Sequence, residues 1–119
     1  MKSLEINGKE YDLHFGIDFI REMDKRYQIT NNFGATFGMG LSSAVMYIQD
    51  KNPVVLADII LSATHTLKQI PRLADVEAWL ESQEDLDKVF DDFLSALANA
   101  PLTKSKVKEM LAAAAEAEA

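Results

Sequence analysis

Residues 52–67 give a helix almost nothing to leave in water. Val54, Val55, Leu56, Ala57, Ile59, Ile60, Leu61 and Ala63 cover most of a helical circumference, leaving Asp58, Ser62, His65 and Gln69 as a narrow polar stripe. A helix this apolar belongs at the centre of a bundle or in an interface between subunits. Asn52-Pro53 suits its start, with Asn as N-cap and Pro at the first helical position. Pro71 is expected to stop it. The 119 residues fit one domain.

The rest of the chain can be read in order. Asn7-Gly8 is the preferred pair for a two-residue type I′ hairpin turn. Such a turn places Ile6 opposite Lys9 and Leu4 opposite Tyr11, and strand alternation gathers Leu4, Ile6, Tyr11, Leu13 and Phe15 on one face. An isolated hairpin is marginal in water, so that face must lie on helices. Residues 17–27 predict a helix with Ile17, Ile20, Met23 and Tyr27 as its stripe and Phe19 off it. A short helix over 41–49 aligns Leu41, Val45 and Ile48, and another over 75–82 buries Val76, Trp79 and Leu80. Asp85 caps a helix from 86 to about 98, whose Leu86, Val89, Phe90, Phe93, Leu94 and Leu97 recur at three and four. Thr103 is positioned to cap a last helix, with Leu102 and Val107 as a hydrophobic staple. The expected fold is mostly α: one domain of five or six helices over residues 1–111, opened by a β-hairpin (3–15) packed on the bundle. The Ala/Glu tail, residues 112–119, has helix propensity but little to pack with and is expected to fray.

Charge and composition narrow the function. The net charge is −7, and a general polyanion binder would be basic, so nucleic acid is disfavoured as a partner. Cysteine is absent, which removes disulfides, thiol catalysis and cysteine-ligated zinc. Neither an apolar signal segment nor a membrane-length apolar run occurs, so a cytoplasmic product with no membrane partner is expected. Residues 75–92 hold eight acids against one lysine, Lys88. A solvated helix face is the plainer reading of that run; a steering surface for a basic partner or a guard against self-association is the sharper one.

No constellation of catalytic groups emerges. In the glycine-rich stretch 30–40, Gly34 and Gly38 are too close for a phosphate-binding loop and Met39 stands where lysine is needed. The dinucleotide fingerprint fails because Ser43 occupies its third glycine position. His14 and His65 lie far apart, and His65 lacks a second ligand at helical spacing, so neither metal nor cofactor is expected. No nucleophile elbow surrounds a serine. Asp91 and Asp92 point away from each other, and Lys104, Lys106 and Lys108 suit a solvated helix start. What remains of 30–40 is a flexible connector carrying Phe33, Phe37 and Met39, side chains costly to expose. They either fold back to complete the core, the plainer expectation, or meet a partner.

An ordered set of short motifs resembles one family. Asn7-Gly8-Lys9-Glu10-Tyr11, Phe15-Gly16-Ile17 and Arg21-Glu22-Met23-Asp24-Lys25-Arg26-Tyr27 look like the opening of tail assembly chaperones from long-tailed phages and prophages of Gram-positive bacteria. The likeness continues through Phe37-Gly38-Met39-Gly40-Leu41, Asn52-Pro53-Val54-Val55-Leu56-Ala57-Asp58 and Pro101-Leu102-Thr103-Lys104. It implies a small acidic non-enzyme of the host cytoplasm, absent from the finished virion. Such a protein binds the tape measure protein, keeps it soluble and helps recruit major tail tube subunits. The resemblance also implies that a longer product can arise by ribosomal frameshifting. A homo-oligomer stays open. Contact surface for such a client would come from Phe33, Phe37 and Met39, together with spare faces of the central helix at Val55 and Ile59. The alternatives are a structural virion component, such as a head-tail connector or tail completion protein, and a small acidic regulator masking a basic partner.

Overall fold

The computed structural model describes residues 2–118. Its elements run β1 (Ser3–Ile6), β2 (Lys9–Asp12), α1 (Ile17–Arg26), β3 (Gln28–Thr30), β4 (Thr36–Gly38), α2 (Gly40–Gln49), α3 (Val54–Ala63), α4 (Leu73–Glu81), α5 (Leu86–Asn99) and α6 (Lys104–Glu118). The architecture is mostly α, with six helices among the described residues and an N-terminal antiparallel hairpin packed on them.

The apolar helix is central, as its composition requires. α3 packs against α1, α2 and α4, and buries Val55, Leu56, Ala57, Ile59, Ile60 and Ala63. Asn52 caps its start: the side-chain Oδ1 accepts the Val54 N–H at 3.1 Å. The helix ends at Ala63, well short of the expected 67 and of Pro71. Buried Thr64 ends it by turning its hydroxyl back to donate to the Ile60 carbonyl at 2.8 Å, while its backbone leaves helical geometry. The freed Ala63 carbonyl accepts the His14 N–H at 2.9 Å, tying the end of α3 to the segment after the first hairpin.

That hairpin has the predicted register, Leu4 opposite Tyr11 and Ile6 opposite Lys9. Asn7 and Gly8 both take positive φ, +53° and +77°, as a type I′ turn demands. Ile6 and Leu13 are buried, with Leu4, Tyr11 and Phe15 packed against the same core.

α1 is rotated relative to expectation. Its buried residues are Phe19, Glu22 and Met23, while Ile17 lies out in solvent. The Phe15 ring meets Phe19 edge-on at 5.1 Å, which draws Phe19 inward. Glu22 shares that face because cations surround its carboxylate, as described below.

α5 matches its periodicity, burying Val89, Phe90, Phe93 and Leu97, and Asp85 Oδ1 accepts the Lys88 N–H at 3.0 Å. Thr103 serves a different end from the one expected. In a continuing helix the Leu97 carbonyl would take its hydrogen bond from residue 101, but Pro101 has no N–H. The buried Thr103 hydroxyl donates to that carbonyl instead, at 2.6 Å, closing the C-terminus of α5. Leu102 is exposed, while Val107 is buried in the core. α6 packs on α2 and α5 through Val107, Met110 and Leu111, then continues helical through the alanine-rich tail.

Candidate functional site

The stretch expected to be a flexible connector is a second hairpin. Ile29 pairs with Phe37, Thr30 with Thr36 and Gln28 with Gly38. Alternation puts Ile29 and Phe37 side by side on one face. The two threonine hydroxyls meet at 3.2 Å. The loop is organised by Asn31, whose Oδ1 accepts the N–H groups of Phe33 (2.9 Å) and Ala35 (3.0 Å). Asn31 N–H donates to the Ala35 carbonyl at 2.9 Å, and Gly34 N–H to the Asn31 carbonyl at 3.1 Å. At this tip Phe33 is 95% exposed; on the strands Ile29 is 56% and Phe37 51% exposed.

The base of the hairpin is clamped between the end of α1 and the start of α2. Met39 N–H donates to the Tyr27 carbonyl at 2.7 Å. No side chain of α2's own N-terminus caps it; Asp24 on α1 does so, its Oδ1 accepting the Gly40 N–H at 2.8 Å. The approach is so close that a Cβ on Gly40 would overlap the Met23 backbone, and one on Gly38 would overlap the Asp24 side chain. Gly38 and Gly40, expected in a flexible connector, are therefore contact points.

Below this clamp lies a polar cluster joining α1 to α3. Tyr27 donates its hydroxyl hydrogen to Asp58 Oδ2 at 2.5 Å, and its ring lies 5.7 Å from that of Tyr47. Burial, helped by the Asp58 carboxylate, pushes the Tyr27 hydroxyl well above its ordinary pKa. Arg26 Nε stands 3.7 Å from Asp58. Nearly buried Glu22 accepts hydrogen bonds from Lys25 (2.8 Å) and Arg26 (3.2 Å), with His65 Nε2 at 3.6 Å. The Lys25 hydrogen bond leads in holding the Glu22 carboxyl below its ordinary value; burial opposes it, and Arg26 and His65 add to it. These groups anchor one helix to another. No cluster of three or more potential ligands among the described residues is arranged for a metal.

The five residues singled out from sequence are thus divided. Phe33 and Phe37 are exposed on the hairpin rather than folded into the core, and Met39 is half-buried at its base. Val55 and Ile59 are fully buried, spent on the core because α1, α2 and α4 surround α3; the residue α3 leaves in water is Val54. Ile29 was missed. Its signal was two short β-branched and aromatic runs flanking an Asn/Gly segment, a hairpin pattern on strands of three residues each.

A mostly helical domain that presents an organised apolar hairpin has the character of a binding protein. Residues 3–111 match the family described as phage tail assembly chaperone protein, TAC. The chain belongs to the phage tail assembly chaperone family, and its role is that of a non-enzymatic chaperone in tail assembly. No curated protein and no solved structure is similar enough to register as a match. None of the described helices is long and apolar enough to cross a membrane.

Proposed function

We propose that the chain binds the tape measure protein, keeps it soluble and helps recruit major tail tube subunits, with Ile29, Phe33 and Phe37 as its contact face for the client. The exposure of Phe33 carries this reading. Covering one such ring is worth about 1.5–3 kcal/mol, and the Asn31 hydrogen bonds hold the loop in place before any partner arrives. Family membership supports the general role, and client and face together make it specific. The chain then acts in the host cytoplasm and is left out of the mature virion.

The test is co-expression of this gene with the tape measure gene of its own locus. The expected result is a soluble tape measure protein that co-purifies with the chain and precipitates when this gene is deleted. A tape measure protein equally soluble without the chain, and never co-purifying with it, overturns the proposal. Mass spectrometry of purified virions then decides whether the chain is a structural component.

A further inference from the structure

A second apolar surface lies on different elements. The N-terminal end of α3 and the outer face of α4 enclose a cleft of about 380 Å³, lined by Pro53, Val54, Ala57, Leu73, Leu80 and the carboxylates Asp58, Glu77 and Glu81. Val54 is 67% and Leu73 52% exposed there, so the apolar surface is open to water. Helical spacing places Leu73, Glu77, Leu80 and Glu81 on one face of α4, and Val54, Ala57 and Asp58 on one face of α3.

Charge indicates the occupant. Glu77 and Glu81 are four residues apart on one helix face, where like charges repel. Among the described residues neither has an ion-pair partner. Of the cleft's carboxylates Asp58 is already paired, with Arg26 at 3.7 Å and the Tyr27 hydroxyl; the other nearby cations are committed outside the cleft, Arg72 to Asp75 at 3.1 Å and Lys51 toward Asp87 and Asp91 at 3.7 and 3.9 Å. An apolar floor edged by the unpaired Glu77 and Glu81 complements a helix that carries Lys or Arg beside an apolar stripe, the usual occupant of a groove between two helices. We infer that the α3–α4 cleft, through Val54, Leu73, Leu80, Glu77 and Glu81, is a docking site for a basic amphipathic α-helix of a partner protein. It is separate from the hairpin face and independent of which client the hairpin holds.

The probe is a synthetic Leu/Lys peptide of about 18 residues, long enough to be helical when bound, with leucines at i, i+3, i+4 and i+7. Titrated into the isotope-labelled full chain, it should shift the amide resonances of Val54, Ala57, Leu73, Glu77, Leu80 and Glu81, with affinity falling as salt rises. Paired Glu77→Gln and Glu81→Gln substitutions on the surface should weaken it about tenfold at low salt. Paired Val54→Ser and Leu73→Ser should weaken it at least as much. A Leu/Glu peptide with the same apolar face should not bind. Shifts that map elsewhere, equal binding by the Gln variant or by the Leu/Glu peptide, or a free protein whose dimer interface covers these residues would each overturn the inference. The peptide requires no phage component, so failure here and failure of the tape measure experiment are distinguishable.

Discussion

The two hairpins are both antiparallel, and they face opposite ways. β1–β2 turns its apolar face inward, so that Ile6 and Leu13 become part of the core and its turn stands in solvent. β3–β4 is tied at its base, through Met39 and Gly40, and it turns Ile29 and Phe37 outward and carries Phe33 at its tip. Alternation determines which residues of a strand share a face; the placement of helices determines whether that face is covered. The first hairpin has the core of the bundle beneath it, whereas the second is tied at its base to the end of α1 and the start of α2. Apolar residues of the first are therefore part of the core, and those of the second stay in contact with water.

The comparison can be broken by paired substitutions. Ile6→Ala removes a buried side chain from the first hairpin and is expected to cost about 2–5 kcal/mol in chemical denaturation. Gly40→Ala should cost about 1–3 kcal/mol, because the new methyl meets the Met23 backbone and no rotamer relieves it. A neutral result at Gly40 would mean that the second hairpin is not clamped. Glu22→Gln should cost about 1 kcal/mol at neutral pH, seen as a lowered denaturation midpoint.

The same glutamate also gives a pH dependence. Its folded-state pKa is depressed below 4.5, so its contribution is complete above the ordinary carboxylate range and is lost as pH falls through the folded value. The Gln variant should accordingly lose less stability than the parent on acidification. Smallest of all, Ile29→Ala in the second hairpin should change stability by about 0.5 kcal/mol or less. A cost there like that of Ile6→Ala would erase the distinction between the hairpins.

Much of the fold was legible in the sequence where one strong local signal left a single answer. Asn7-Gly8 set both turn type and register, and six apolar residues at spacings of three and four oriented α5. Periodicity was weaker on α1, where two stripes overlap at Met23. It favoured the one through Ile17 and Ile20, but the Phe15–Phe19 contact and the ion-paired Glu22 turned the other inward. A glutamate on a core face looks like solvent until its cations are known.

The candidate site was harder to read. An all-apolar helix does not say which of its sides is left over: Val55 and Ile59 are buried, and Val54 is the exposed residue. Gly38 and Gly40 suggest flexibility when counted and close packing when Asp24 and Met23 are seen beside them. Phe33 and Phe37 were identifiable as costly to expose, but the choice between core and partner depended on a hairpin with strands of only three residues. The tail remains an expectation: its mostly exposed alanines should show fast amide exchange although α6 is helical to Glu118.

The central claim is that the second hairpin keeps its apolar side chains for a client. The most direct measurement is co-purification of the tape measure protein with the parent chain and with the paired Phe33→Ser, Phe37→Ser variant, alongside circular dichroism and thermal melts of both. The account predicts unchanged helical content, a melting temperature close to the parent's, and strongly reduced recovery of the tape measure protein. Undiminished recovery, or a variant that unfolds, would contradict it.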